Sequence, residues 1–139
     1  MNFSLEIGPK TDLETVPPVS DIYITMLPGG DYKETSQKAI ELVNKGFNPV
    51  PHFPARSMKD EKELKDYVSI CKDGGVKQAL IIGGGREPVG KFDSSFQLLE
   101  TGYFEKMRNW IKSLFYKFNS FLSSLFIIPT WQHSDINIT

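Results

Sequence analysis

Short apolar runs alternate with longer helical stretches along most of the chain. Runs rich in β-branched and aromatic residues occupy positions 3–8, 21–27, 48–53 and 78–83. This composition is typical of strands. The nearly continuous apolar run of the fourth segment is typical of a strand that is buried on both faces, as in a parallel sheet. We therefore predict four strands that are parallel and adjacent in that order.

The stretches between these runs carry the signals of helix ends. Asp31 is in position to cap the first helix, and Gly46 is a suitable stop. A second helical stretch ends in the two glycines at residues 74–75, and Asp93 or Ser94 would cap a third helix. Strands that alternate with helices predict right-handed βαβ units. Both a doubly wound sheet and a (β/α)8 barrel fit this pattern.

The pattern changes after Gly102. The apolar residues that follow recur at spacings of three or four and form a stripe, made of Trp110, Leu114, Phe118, Phe121 and Leu125. This periodicity predicts one amphipathic helix over residues 110–126, with Pro129 as its stop. We therefore divide the chain into residues 1–102, with the strand and helix repeat, and residues 103–139, with an aromatic-rich helix and a loose polar tail.

Composition narrows the classes of function. The chain of 139 residues has 16 Lys and Arg against 17 Asp and Glu, so it lacks the basic excess of a nucleic-acid-binding protein. Its single cysteine, Cys71, excludes an internal disulfide and a Cys-based zinc cluster. No signal-peptide pattern opens the sequence, and polar residues interrupt the apolar run at residues 114–131. We expect a cytoplasmic protein without an integral membrane segment.

Ligands of parallel α/β proteins bind at the carboxyl ends of the strands. Glu6 lies near the end of the first predicted strand, and alternation places it on the side opposite Leu5 and Ile7. We expect the apolar side to face the helices and Glu6 to face the interior of a barrel. A carboxyl group there tends to have a raised pKa and can donate a proton. The alternative is a structural or edge-exposed acid.

The other strand ends carry candidate ligand contacts. Thr25 ends the second strand, and His52 ends the third between prolines that restrict the direction of its imidazole. The alternative for His52 is a hydrogen-bonded structural role. Three glycines at residues 83–85 allow a ligand to approach the backbone, although a tight turn would use the same residues. They form neither a GxGxxG fingerprint nor a P-loop. The only other histidine, His133, lies in the tail, so we expect no metal site.

Four segments resemble, in order, motifs of the methylenetetrahydrofolate reductase family. SLEIGPKT at residues 4–11 is similar to its opening motif, and TMLPG at residues 25–29 is similar to the second-strand end of its shorter bacterial members. GFNPVPHFPAR at residues 46–56 is similar to the third-strand motif, with its flavin-contacting histidine. LIIGGG at residues 80–85, followed by PVGKFDSS at residues 88–95, is similar to the fourth-strand loop and the start of the next helix.

This resemblance, which covers residues 3–102, implies a partial (β/α)8 TIM barrel with its first four βα units. It also implies an enzyme of one-carbon metabolism. Members of the family use FAD to carry a hydride from NADH or NADPH to the folate 5,10-methylenetetrahydrofolate, which gives 5-methyltetrahydrofolate. By position in the motifs, Glu6 matches the general acid. The residues that match flavin contacts are Thr25, His52, Gly83, Gly84, Gly85, Phe92, Asp93 and Ser94.

Two features depart from the family pattern. Many members have an acid directly after the Gly-Gly pair, where this chain has Gly85 followed by Arg86. The missing negative charge is expected to alter the redox poise of the flavin and to weaken folate binding. After Gly102 the predicted helix replaces the fifth strand, and the chain holds roughly half of the 250 residues usual for such a barrel. We therefore expect a fragment with little reductase activity.

Two other functions stay open on the sequence. The chain could be a catalytically inactive remnant that forms a homo-oligomer through the predicted helix at residues 110–126. It could also be a different α/β domain that binds a phosphate ligand at the glycine loop. Flavin binding separates the reductase hypothesis from the inactive remnant, because a bound flavin absorbs visible light.

Overall fold

A computed structural model of the chain describes residues 3–104, 114–116 and 125–128. Four strands lie side by side in chain order, and each is parallel to its neighbour. They are β1 (Ser4–Ile7), β2 (Asp21–Ile24), β3 (Asn48–Pro54) and β4 (Ala79–Ile82). The sequence-based prediction of four adjacent parallel strands is confirmed.

Three helices connect or follow these strands, namely α1 (Tyr32–Asn44), α2 (Glu61–Asp73) and α3 (Ser95–Glu100). The first two begin at aspartates whose carboxylates accept hydrogen bonds from free backbone N–H groups of the first turn. Asp31 accepts from the Lys33 N–H and Asp60 from the Glu63 N–H, both at 2.8 Å. Gln97 caps α3 in return, because its side-chain oxygen accepts from the Ser94 N–H at 3.2 Å. The repeat of strand and helix is therefore the α/β fold that the apolar runs and the helix-end signals predicted.

One face of the sheet forms the core with the helices. Ile7 lies beside Ile24 in register, and both pack with Phe53 and Ile81 in a single hydrophobic cluster. The ring of Tyr67, on α2, stacks on Phe53 with ring centroids 4.0 Å apart. Ile7 is buried on the helix side, as expected, and Glu6 is exposed on the other face. The expectation that this other face lines the interior of a barrel stays a prediction.

Two further strands extend the sheet beyond β4. Strand β6 (Leu125–Ile128) pairs antiparallel with β4, and β5 (Leu114–Tyr116) pairs antiparallel with β6. The prediction of one helix over residues 110–126 is wrong for these segments. Short apolar and aromatic runs fit a strand as well as a helix, and the free edge of β4 offers a row of unpaired backbone groups.

This correction removes the basis for a homo-oligomer formed through a C-terminal helix. The remaining residues of the predicted helix and the predicted loose tail lie outside the described residues. An antiparallel strand next to β4 also differs from the parallel fifth strand of a (β/α)8 barrel. Within the described ranges, none of the helices has the length and apolar character needed to cross a membrane.

The buried face of α2 can be tested with one substitution at two sites. Leu64 is fully buried, whereas Leu27 is 59% exposed. We expect Leu64→Ala to lower the free energy of unfolding by about 2–5 kcal/mol, because the lost methyl groups leave a cavity. Leu27→Ala should change it by less than about 0.5 kcal/mol. Urea unfolding measures both values, and equal losses would contradict the packing described for α2.

Candidate functional site

The carboxyl ends of β1, β2 and β3 meet at one edge of the sheet. The backbone ladder continues past β2, because the Ile7 carbonyl accepts from both the Thr25 N–H (2.9 Å) and the Thr25 hydroxyl (3.2 Å). In register, Glu6 lies beside Tyr23, and Tyr23 lies beside Val50. His52 follows Val50 by two residues, so strand alternation places Glu6, Tyr23 and His52 on the same face. The expected shared edge is observed, and the roles of these residues stay predictions.

His52 is a buried imidazole on the face of the sheet opposite the helices. Its side chain is 8% exposed, and among the described residues its Nε2 atom has no hydrogen-bond partner. Burial lowers the pKa of His52 below its usual 6.5, while the nearby charge of Glu6 acts in the opposite direction. The imidazole is therefore mainly neutral at pH 7, and its Nε2 atom is a buried polar atom without a partner among the described residues.

Tyr23 completes this polar face. Its ring lies edge-on to His52, with ring centroids 6.3 Å apart. Burial and, secondarily, the charge of Asp21 raise the pKa of the Tyr23 hydroxyl, which stays a neutral hydrogen-bond donor. Together with the exposed carboxylate of Glu6, the face presents an acid, a phenol and a neutral imidazole. This set can bind a polar aromatic ligand and can transfer a proton.

A core residue on the helix side of the sheet contacts the backbone of His52. The Tyr67 hydroxyl donates to the His52 carbonyl at 3.0 Å, within the buried layer between α2 and the sheet. Burial raises the pKa of Tyr67 well above its usual value, so the hydroxyl remains a donor. The sequence pattern did not identify Tyr67 as part of the site, because its helical spacing indicated only a core residue.

The glycine loop after β4 is closely packed at one glycine and open at the next. Gly84 has φ +94°, a backbone conformation that side chains other than hydrogen disfavour, and a Cβ there would lie 3.5 Å from Pro54 Cβ. A Cβ at Gly85 would meet no atom within 4 Å. Gly83 is buried, and its carbonyl accepts from the Arg56 N–H at 2.9 Å. The loop therefore exposes its second half to a ligand.

Residues 92–94 lie against this loop. Phe92 is 3% exposed and belongs to the hydrophobic core, so its ring is not available to a ligand. Asp93 bonds to Arg56 through both its carbonyl and its carboxylate, at 2.9 and 3.0 Å. Ser94 is the N-cap residue of α3, directly before Ser95. Arg56 was not predicted as a site residue from the sequence, although it closes the third-strand motif.

The two described cavities of the same edge lie around the start of α1. One, of about 540 Å³, is lined by the loops after β2, β3 and β4, including Gly29, Lys59 and Arg86. The other, of about 480 Å³, lies between the loops after β1 and β2. Neither lining includes Glu6 or His52. The concave surface of the edge and its polar face are therefore separate features.

Comparison with models of known protein families finds none that matches the chain. Within the part of the chain that the structure describes, no group of three His, Cys, Asp or Glu side chains could hold a metal ion.

A pH titration tests the environment of His52. The folded-state pKa is lower than the unfolded-state value, so the unfolded chain binds more protons below about pH 6.5. We expect the free energy of unfolding to fall as the pH drops through that value and to level off below the folded-state pKa. In Glu6→Gln, the imidazole pKa measured by NMR should fall further, because a stabilising negative charge is lost. Glu100→Gln is the control and should leave it unchanged.

A pair of glycine substitutions tests the loop. Gly84→Ala should destabilise the fold by about 1–3 kcal/mol, since alanine is strained at positive φ. Gly85→Ala has room for the added methyl group and should be nearly neutral. Thermal or urea unfolding of the two variants gives the comparison, and a neutral Gly84→Ala would show that the loop does not require this conformation.

Proposed function

We propose that this chain carries the flavin-contacting and proton-donating part of a methylenetetrahydrofolate-reductase-like site, where bound FAD supplies hydride transfer from NADH or NADPH to a methylenetetrahydrofolate. The observation that carries the proposal is the placement of the four motifs. Each motif falls at the end of one of four adjacent parallel strands, so Glu6, Thr25, His52 and the glycine loop share one edge. Such an edge is where α/β proteins bind their ligands.

The residues present suit a flat, polar ring system. His52 has a buried Nε2 atom with no partner among the described residues, and a ring-edge heteroatom would satisfy it. Gly85 leaves open space beside the backbone of the glycine loop, which allows a planar group to approach closely. These two features support His52 and residues 83–85 as contacts for the isoalloxazine. The backbone of Phe92, Asp93 and Ser94 is the proposed contact for the ribityl or adenosine part.

Glu6 is the residue that we propose as the proton donor. It lies on the same face as His52 and Tyr23, exposed to an incoming ligand. Protonation of a nitrogen in the five-membered ring of the folate opens that ring and leaves an electrophilic iminium carbon. The protein needs only to hold a protonated carboxyl group within hydrogen-bond distance of that nitrogen. Thr25, the predicted flavin contact at the end of β2, is a less direct part of the site, since its hydroxyl already donates to the Ile7 carbonyl.

The competing proposal is a chain with no catalytic activity, and flavin binding decides between the two. Purified protein titrated with FAD should show a perturbed visible band and quenched flavin fluorescence if the proposal holds. His52→Ala should weaken the binding by about tenfold, the effect of one lost hydrogen bond in a buried setting. A wild-type chain that leaves free FAD unchanged would refute the proposed function.

If a complete, flavin-loaded form that turns over folate exists, the role of Glu6 has its own test there. Glu6→Gln should still bind FAD and should still be reduced by NADH or NADPH, because neither step needs the proton. Folate turnover should fall by about 10²–10⁴-fold, the usual contribution of general acid catalysis. Glu100→Gln, which changes an exposed acid on α3, is the matched control. A folate rate that Glu6→Gln leaves unchanged would remove Glu6 from the mechanism.

A further inference from the structure

Arg56 links both segments that follow β4. Its backbone N–H donates to the Gly83 carbonyl at 2.9 Å, and its carbonyl accepts from the Val89 N–H at 3.0 Å. Its side chain contacts the same two segments. Nε donates to the carbonyl and to the carboxylate of Asp93, and an η-nitrogen lies 3.5 Å from the Gly84 carbonyl. A single residue, two positions after the end of β3, thus contacts both the glycine loop and the segment that leads into α3.

The Arg56–Asp93 pair is too exposed to matter much for global stability. The two side chains are 32% and 65% exposed, and exposed ion pairs contribute little to the free energy of unfolding. Its geometry is more specific than that of a simple ion pair. The guanidinium is a planar group of donors, which contacts two carbonyl oxygens as well as the carboxylate. A guanidinium with these contacts is placed to fix the conformation of the loop.

We infer that Arg56 is the positioning residue of this site, which holds the glycine loop and residues 92–94 in one arrangement for the ligand. The inference rests on the proposed function for the identity of that ligand, a flavin. The hold on the loop itself is a property of the ligand-free chain. Asp93 has a second role in this arrangement, because its carboxylate neutralises the guanidinium next to the Gly84 carbonyl.

The ligand-free arm of the test measures loop order by ¹⁵N relaxation. In the wild type we expect the amides of residues 83–85 and Asp93 to have order parameters of about 0.85, and in Arg56→Lys and Arg56→Met values below about 0.6. Lys62→Ala is the matched control, because it breaks the exposed Lys62–Asp66 ion pair within α2, which involves neither the glycine loop nor residues 92–94. Unchanged loop order in both Arg56 variants would overturn the inference.

The flavin-bound arm separates positioning from general loosening. Both Arg56 variants should raise the Kd for FAD by about tenfold, which corresponds to the loss of a charged hydrogen bond. The midpoint potential of bound FAD should rise in Asp93→Asn, because the positive charge of Arg56 is then no longer neutralised. It should fall in Arg56→Met, because the negative charge of Asp93 is then no longer neutralised. In Arg56→Lys, which keeps the charge, it should stay near that of the wild type.

The outcomes distinguish the two proposals. Potentials that shift in the same direction in Asp93→Asn and Arg56→Met would mean that the loop is only loosened, which would overturn the electrostatic role of the pair. If the wild type binds no FAD, the proposed function fails. The relaxation data of the ligand-free chain still decide in that case whether Arg56 holds the loop.

Discussion

Parallel pairing of the first four strands is the constraint on which the rest of the structure depends. A parallel neighbour requires the chain to return to the starting end of the sheet, and here helices α1 and α2 make two of these returns. Every one of these four strands therefore ends at the same edge. Residues far apart in the sequence, such as Glu6, His52 and Gly84, reach this edge for one reason: each lies at or near the end of its strand.

One face of the sheet packs in the core, and the other carries the polar side chains of the candidate site. Ile7, Ile24 and Phe53 pack against the helices, and this burial stabilises the fold. The opposite face carries the acid, the phenol and the imidazole, and the desolvation of the buried imidazole has to be offset by the rest of the fold. Tyr67 joins the two, since its ring stacks on Phe53 and its hydroxyl bonds to the His52 carbonyl. The position of the imidazole thus depends directly on core packing.

The glycine loop combines two properties that a single residue could not supply. Gly84 adopts a backbone conformation that a side chain would strain, and Gly85 provides open space beside it. A loop of glycines is conformationally free in the unfolded chain, so a fixed arrangement needs contacts from outside the loop. Those contacts come from Arg56, at the end of the neighbouring strand.

The four strands, their order, the helix ends and the shared edge could all be predicted from the sequence, because periodicity, capping residues and parallel connection are local or topological rules. Asp31 and Gly46 show this at the two ends of α1. Three other features depended on the tertiary structure. Leu114–Tyr116 and Leu125–Ile128 are strands, since a free sheet edge outweighed the helical spacing. The guanidinium of Arg56 lies between two segments, and Nε2 of His52 is buried without a partner among the described residues, because both depend on which atoms meet across the fold.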